Sequence, residues 1–175
     1  MARFSRAFSA CIAHEGGFQL TDVAGDAGGE TYAGIARTRH PDWQGWQWID
    51  QGETDSARIQ RAVRDFYREN FWARIRGDDI QRQTVANSIF DFAVNAGVGT
   101  ASHLAQETVS AASDGIIGPN TLKKINRRSE REFIAAYALR KLAYYADICT
   151  RHPAQKKFLL GWLNRTLDDA GIPRG

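Results

Sequence analysis

Acidic, hydroxyl and glycine residues are concentrated in one stretch near the start of the chain, HEGGFQLTDVAGDAGGETYAGIAR, which runs from His14 to Arg37. Hydrolysis of a glycosidic bond needs a protonated carboxyl group beside the leaving oxygen, and an ionised group or a held water molecule on the other face of the sugar. Glu15 suits the first role, Asp26 the second, and the Thr31 hydroxyl suits a water-holding role. We therefore predict carboxylate chemistry at this stretch.

The residues before Glu15 have the apolar spacing of one helical face, formed by Phe4, Phe8, Cys11 and Ile12. Gly16 and Gly17 favour the positive φ values that end helices, so Glu15 is predicted to close a helix. A carboxylate at that end faces the negative end of the helix dipole, and contact with the core would desolvate it. Both effects disfavour the charged form, which is what a general acid near neutral pH requires.

The same carboxylates also have structural interpretations. Asp26 is of a residue type that forms turns, and Glu15 is able to form a surface ion pair. Asp22 is a second candidate for the ionised carboxylate, whereas Glu30 is expected to have a structural role. Spacing alone leaves these alternatives open.

Aromatic residues supply candidate sugar contacts. An indole has a flat apolar face that matches the C–H face of a pyranose, although it also fills a core well. The segment RHPDWQGWQWID therefore encodes either a sugar-stacking wall or core packing, through Trp43, Trp46 and Trp48. Tyr32, Trp43 and Trp46 are the aromatic residues predicted to contact substrate.

A row of short polar side chains follows one side of a helix predicted over residues 84–96. Asn87, Asp91 and Asn95 recur every four residues, which places them in one line beside a mostly apolar face. The row is either a solvated stripe or the wall of a cleft suited to N-acetyl and hydroxyl groups. We include all three as candidate substrate contacts.

Other chemistries have weaker support in the 175 residues. No H-x-x-x-H spacing predicts a zinc site, no G-x-S-x-G predicts a serine nucleophile, and no glycine pattern predicts a nucleotide site, so we expect neither metal nor cofactor. Two distant cysteines, Cys11 and Cys149, are expected to be buried thiols. The net charge of +3 includes a basic half, with ten Lys or Arg and three acids between Lys123 and Lys157, but nothing predicts a nucleic-acid partner.

The motifs HEGGFQ and GDAGGETYAGIAR resemble the signature of glycoside hydrolase family 108, the phage and prophage N-acetylmuramidases. In that signature an E-G-G at a helix end precedes D-P-G-G-x-T-x-x-G-I; here Ala27 stands where the family has proline. The resemblance extends to YRENFWARIRGDDI and FDFAVNAG, and DGIIGPNTL resembles the predicted peptidoglycan-binding segment in that family's second half. It implies that Glu15 is the catalytic acid and that Asp26 and Thr31 are the second carboxylate and the water holder.

The resemblance also implies a mainly α, lysozyme-like fold with a small glycine-rich β-like lobe. We expect a catalytic part at 1–97 and a helical second half at 98–175, packed as one unit. The expected activity is that of a lysozyme: cleavage of the β-1,4 bond between N-acetylmuramic acid and N-acetylglucosamine, in an endolysin role. The alternatives are a lytic transglycosylase and a catalytically inactive wall-binding protein.

The expected partner is bacterial peptidoglycan, met by a monomer that does not insert into the membrane. No apolar run reaches the roughly 20 residues of a membrane helix, and the N-terminal residues lack the pattern of a secretory signal. We therefore expect synthesis in the bacterial cytoplasm, action on periplasmic peptidoglycan, and dependence on a separate pore such as a holin.

Overall fold

Helices form most of the protein, which confirms the predicted mainly α class. The structure is a computed structural model that describes residues 1–21 and 29–173. Within these residues the α-helices are α1 Phe4–His14, α2 Gly45–Ile49, α3 Ala57–Tyr67, α4 Gln83–Ala96, α5 Val98–Thr108, α6 Pro119–Arg127, α7 Glu130–Arg151 and α8 Leu159–Asp169. A π-helical turn, Arg68–Trp72, continues α3, and 3₁₀ turns occupy Gly77–Asp79 and Pro153–Phe158.

A small antiparallel sheet forms the predicted β-like lobe. Its strands lie in chain order, as β1 Leu20–Thr21, β2 Thr31–Tyr32 and β3 Ile35–Ala36. The register pairs Leu20 with Tyr32, and Tyr32 with Ile35. Ala33 and Gly34, which join β2 to β3, have φ values of 48° and 78°. Positive φ at both central residues is the backbone of a tight hairpin turn, so this connection is short and directs β3 straight back along β2.

Helix α4 lies at the centre of the core, where it packs against α1, α5, α7 and α8. A helix that is apolar on most sides must be covered on most sides. The buried side chains of α4 include Val85, Ala86, Ile89, Phe90, Phe92 and Ala93. Aromatic rings connect α4 to α1, because Phe4 contacts both Phe90 and Trp72 edge-on or tilted, with centroids within 6 Å. This packing fixes where the end of α1 lies.

Polar contacts inside the core hold α8 against α4 and α7. The Lys141 ammonium of α7 pairs with Asp169 of α8, and both side chains are almost fully buried. Ser88 of α4 donates a hydrogen bond to Asp169 at 2.5 Å. A buried ion pair requires such additional partners, because each charge has lost its water. The position of α8 is therefore specified by its charges as well as by its apolar face.

Capping side chains and glycines define where several helices begin. Ser129 caps α7 by accepting a hydrogen bond from the Glu132 amide, and Cys11 and Cys149 are buried free thiols. Ser56 caps α3, because its hydroxyl accepts a hydrogen bond from the Ile59 amide. Helix α5 begins at Val98, directly after a turn at Gly97 with φ 89°. None of the helices formed by residues 1–21 and 29–173 is long and apolar enough to cross a membrane.

Candidate active site

Glu15 lies at the C-terminal end of α1, as predicted. Its amide donates to the Cys11 carbonyl at 3.2 Å, and the Gly17 amide donates to the Ile12 carbonyl at 2.9 Å. Gly16 and Gly17 have φ values of 83° and 79°, which turn the chain away from the helix axis. The helix end thus presents the Glu15 side chain at the junction between α1 and the sheet.

A cavity of about 460 Å³ opens beside Glu15. The sheet contributes Thr31 and Gly34, and the α3 side contributes Phe66, Tyr67 and Phe71. Arg39 and His40 add polar groups to the lining. Burial lowers the pKa of His40, and the neighbouring Arg39 adds to that effect, so this imidazole is neutral near pH 7. Among residues 1–21 and 29–173 the lining combines the Glu15 carboxylate with aromatic faces and hydrogen-bonding groups, which is the composition of a small-molecule binding site.

The β2–β3 turn is pressed closely against Glu15. The Tyr67 hydroxyl donates to the Ala33 carbonyl at 2.9 Å. A Cβ atom added at Gly34 would lie 2.5 Å from the Tyr67 hydroxyl oxygen and 3.3 Å from Glu15 Oε2. Glycine is therefore required here for space as well as for its φ value.

Arg165 of α8 binds Glu15 from the other side. Its Nη2 donates to Glu15 Oε1 at 2.9 Å and to Asp91 Oδ1 at 2.8 Å, and its Nε donates to Asp91 Oδ2 at 2.7 Å. His14 Nδ1 lies 3.1 Å from Asp91 Oδ1. The guanidinium thus binds both oxygens of Asp91, through Nε and Nη2, and Nη2 also binds Glu15. Glu15 therefore forms an ion pair, as its structural interpretation allowed, but the pair is largely buried rather than on the surface.

Asp91 is charged and buried at the base of this network. Burial alone raises the pKa of Asp91, but hydrogen bonds from His14 and Arg165 outweigh it and lower the pKa to about 2. The same hydrogen bond to Asp91 raises the pKa of His14. The side chains of Asp91 and Arg165 are only 11% and 16% exposed. Asp91 therefore holds Arg165 in place rather than facing the cavity.

The polar row on α4 does not form one wall of the cavity. Asn87 accepts a hydrogen bond from Gln83, and Asn95 accepts one from the Tyr145 hydroxyl. Asp91 is buried between them. Asn87 is half-buried, and the exposed Asn95 lines a separate groove with Trp162 and Arg165. None of the three lines the cavity beside Glu15, and their contact with substrate stays a prediction.

The three aromatic residues predicted to contact substrate lie in different surroundings. Tyr32 is fully buried and donates to the Thr54 carbonyl at 2.6 Å, and Trp46 is buried and donates to the His40 carbonyl at 2.8 Å. The structure places both in the core rather than at the cavity. Trp43 is half-buried, stacks on Tyr32, and lines a neighbouring groove with Trp48.

Thr31 is the predicted water holder, and it lines the same cavity as Glu15. Its hydroxyl donates to the Gly29 carbonyl at 3.3 Å, which leaves the oxygen lone pairs available to a water molecule. Glu30 forms an ion pair with Arg37 at 2.9 Å. Asp22 and Asp26 lie outside the described residues.

Comparison with known proteins agrees with this geometry. Residues 8–97 match the sequence profile of glycosyl hydrolase 108, over slightly more than half of the chain. The chain belongs to glycosyl hydrolase family 108. Residues 100–167 match a second profile, described as a predicted peptidoglycan domain. The protein is thus a glycoside hydrolase of the peptidoglycan-hydrolase type.

A solved structure supports the same assignment. SagA of Brucella abortus superposes with a TM-score of 0.74 at 26% identity, covering 96% of this chain and 91% of SagA. The likeness confirms the predicted lysozyme-like, mainly α fold with its small sheet. No protein in the curated sequence comparison matches the chain.

The two profile matches divide the active site between them. Glu15 and Asp91 lie in the part that matches glycosyl hydrolase 108, whereas Arg165 lies in the part that matches the peptidoglycan domain. Arg165 was missed at the level of sequence, because a single arginine in the amphipathic segment LLGWLNRTLDD has no local feature that connects it to Glu15. In this member of family 108 the second half contributes directly to the surroundings of the candidate acid.

We predict that Arg165→Met lowers the free energy of unfolding by about 3 kcal/mol, because it leaves the buried Asp91 carboxylate without its main partner. Urea unfolding at pH 7 measures this loss. The matched control is Arg151→Met, which removes an exposed arginine paired with Asp147 and is expected to cost less than about 1 kcal/mol. Equal losses in the two variants would contradict the proposed role of the network.

The stability contributed by Asp91 is expected to vary with pH. A carboxylate whose pKa is lowered on folding stabilises the protein above its unfolded pKa of 3.8, and this contribution is lost as the pH falls through the folded value of about 2. The free-energy difference between wild type and Asp91→Asn should therefore be about 2 kcal/mol near pH 5 and should decline towards pH 2. Unfolding by urea at each pH measures it. Asp147→Asn, at an exposed pair, should show no comparable decline; a constant Asp91 difference down to pH 2 would exclude this coupling.

Substitution of Gly34 tests how closely the hairpin is packed against Glu15. Gly34→Ala and Gly52→Ala both place an alanine at φ near 80°, but a Cβ at Gly52 meets nothing within 4 Å. Backbone strain of about 1 kcal/mol is therefore common to both, and Gly34→Ala should lose at least about 1 kcal/mol more through the clash with Tyr67. Thermal unfolding measures the difference, and peptidoglycan hydrolysis should fall only in Gly34→Ala. Equal behaviour of the two variants would refute the close contact.

Proposed function

We propose that the protein is an N-acetylmuramidase that cleaves the β-1,4 bond between N-acetylmuramic acid and N-acetylglucosamine in peptidoglycan. The observation that carries the proposal is the placement of Glu15 at a glycine-flanked helix end, on a cavity that it shares with Thr31. The family match supports a glycoside hydrolase, and the peptidoglycan profile supports the polymer on which it acts.

In the proposed reaction Glu15 donates a proton to the leaving glycosidic oxygen. A guanidinium only donates hydrogen bonds, so Glu15 Oε1, which accepts from Arg165, is the oxygen that carries no proton. The acidic proton therefore belongs on Oε2, the oxygen closer to the Gly34 turn. Arg165 fixes the orientation of the carboxyl group, since one oxygen is held while the other is left to react.

The second half of the reaction requires a held water or an ionised group on the opposite face of the sugar. We assign the water-holding role to Thr31, whose hydroxyl lines the cavity on the sheet side. Asp26 is the proposed second carboxylate on the basis of the family motif. The role in cell lysis and the dependence on a holin stay predictions from the family resemblance, together with the monomeric state.

The experiment is digestion of purified sacculi by wild type, Glu15→Gln, Thr31→Ala and Asp26→Asn, followed by mass spectrometry of the released fragments. Glu15→Gln should lose at least about a thousandfold in rate, because it cannot transfer a proton to the leaving group. Asp26→Asn should lose about a hundredfold. Circular dichroism should show unchanged helix content in each variant.

The products distinguish the proposed reaction from its alternatives. A muramidase releases fragments with reducing N-acetylmuramic acid ends, whereas a lytic transglycosylase leaves 1,6-anhydro ends. Anhydro products would replace the hydrolase proposal with the transglycosylase. Absence of soluble fragments from wild type would leave a wall-binding protein, and near-normal activity of Glu15→Gln would exclude Glu15 as the acid.

A further inference from the structure

A second cavity lies along α6, in the part of the chain that matches the peptidoglycan domain. Its volume is about 530 Å³, and it shares no lining residue with the cavity at Glu15. We define the α6 pocket by the apolar and charged side chains that line it: Ile116, Pro119, Asp114, Lys123, Lys124 and Arg127.

The α6 pocket lies away from the candidate active site. Asn126, at the end of α6, accepts a hydrogen bond from the Gln81 amide and donates one to the Asp79 carbonyl. The Ile80 carbonyl, which lies between these two residues in sequence, accepts a hydrogen bond from the Ala2 amide. This end of α6 is therefore beside the start of α1. Glu15 lies at the other end of α1, which has 11 residues and is about 16 Å long. A ligand in the α6 pocket is bound separately from the bond that is cleaved.

A buried glutamine holds the pocket in shape. Gln106 is almost fully buried, and its Nε2 donates to Asp114 Oδ1 at 2.6 Å and to the Ile116 carbonyl at 3.0 Å. Its Oε1 accepts from the Gly115 amide at 2.9 Å. Asp114 also accepts from the Ile116 amide. The loop at 114–116 is thus fixed against α5, and little ordering is required before a ligand binds.

The charge of the pocket is positive. Asp114 contributes one negative charge, which is already bonded to Gln106 and to the Ile116 amide, and the Lys124 ammonium donates to the Ser110 carbonyl at 2.5 Å. Lys123 and Arg127, one helical turn apart, have no ion-pair partner among residues 1–21 and 29–173. Beside them the Ile116 side chain is 71% exposed. The pocket therefore offers two available cations next to an apolar surface.

We propose that the α6 pocket binds the stem peptide of peptidoglycan rather than its glycan strand. The proposal rests on the proposed function for the choice of polymer. When the lactyl group of muramic acid carries a peptide, the glycan strand itself is uncharged, and the carboxylates of the polymer belong to the peptide. Lys123 and Arg127 bind those carboxylates, and Ile116 and Pro119 contact the methyl groups of the alanine residues.

Because the two cavities are separate, the stem peptide at α6 anchors the protein while the Glu15 cavity holds a length of glycan. The substrate preference that follows is for peptide-bearing peptidoglycan over peptide-free strands. This preference affects the affinity for the polymer and not the rate of the chemical step.

The test uses the full chain with Glu15→Gln, so that the polymer stays intact during co-sedimentation. Binding to purified sacculi is measured by co-sedimentation, and binding to soluble peptide-free strands, prepared with an N-acetylmuramoyl-L-alanine amidase, is measured by their competition with sacculi. The amidase leaves one lactyl carboxylate on each muramic acid, so the peptide-free strands are anionic as well and also control for general charge attraction. The parent protein should bind intact sacculi at least about tenfold more tightly than the peptide-free strands. Adding Lys123→Gln and Arg127→Gln should remove that difference, since two charge-assisted contacts are lost.

A matched control separates a specific pocket from general attraction to an anionic polymer. Arg131→Gln with Lys156→Gln removes two exposed cations that do not line the α6 pocket, and it makes the same change in net charge. This control should bind as the parent does. An equal loss in the control, unchanged binding of the Lys123 and Arg127 variant, or equal binding of the parent to both polymers would each overturn the proposal.

Hydrolysis of peptide-free strands, with Glu15 intact, distinguishes this proposal from the proposed function. The Lys123→Gln and Arg127→Gln variant should retain the wild-type rate on that substrate and show a raised KM on sacculi with kcat unchanged. A lowered kcat on both substrates would overturn the separation of the two sites. If wild type cleaves neither substrate, the muramidase proposal fails while the binding result stands.

Discussion

One guanidinium group joins the candidate active site to the buried core. Arg165 neutralises Asp91 inside the core and at the same time holds one oxygen of Glu15. A carboxylate as buried as Asp91 needs a cation, and only α8 brings one within reach among the described residues, apart from the partly exposed His14. Helix α8 must therefore pack in one position, and the Lys141–Asp169 pair, with Ser88, fixes that position further along the same helix.

The two parts of the chain that match separate profiles share one core. The profile boundaries at 97 and 100 suggest a hydrolase followed by a wall-binding module. In the structure, α4 of the first half is enclosed by α5, α7 and α8 of the second, and the orientation of the candidate acid depends on α8. The boundary between the two profiles is therefore not a boundary in the hydrophobic core. The α6 pocket shares no residue with the cavity beside Glu15, so the ligand binding proposed for it does not involve the candidate acid.

Local features of the fold were accessible from sequence, whereas contacts between distant elements were not. The end of α1 at Glu15, the small sheet and the Ser129 cap follow from glycine positions, helical spacing and capping chemistry. Asn87, Asp91 and Asn95 do lie along one side of α4, as their spacing predicts. The spacing does not predict which side chains contact each of them. Trp43 and Trp46 illustrate the same limit: Trp46 is buried, whereas Trp43, three residues away and in contact with Phe66 of α3, is only half-buried. Arg165, 150 residues from Glu15, had no signal in its surroundings.

The distance in sequence between Glu15 and Arg165 affects when their contact forms during synthesis and when it is lost during proteolysis. Synthesis proceeds from the N-terminus, so the candidate acid Glu15 is synthesised 150 residues before Arg165, the residue that holds it. The contact that orients Glu15 therefore forms only after α8 has been synthesised and packed against α4. A protease cut between α7 and α8 would likewise separate Arg165 from both Glu15 and Asp91, although Arg165 does not line the cavity beside Glu15.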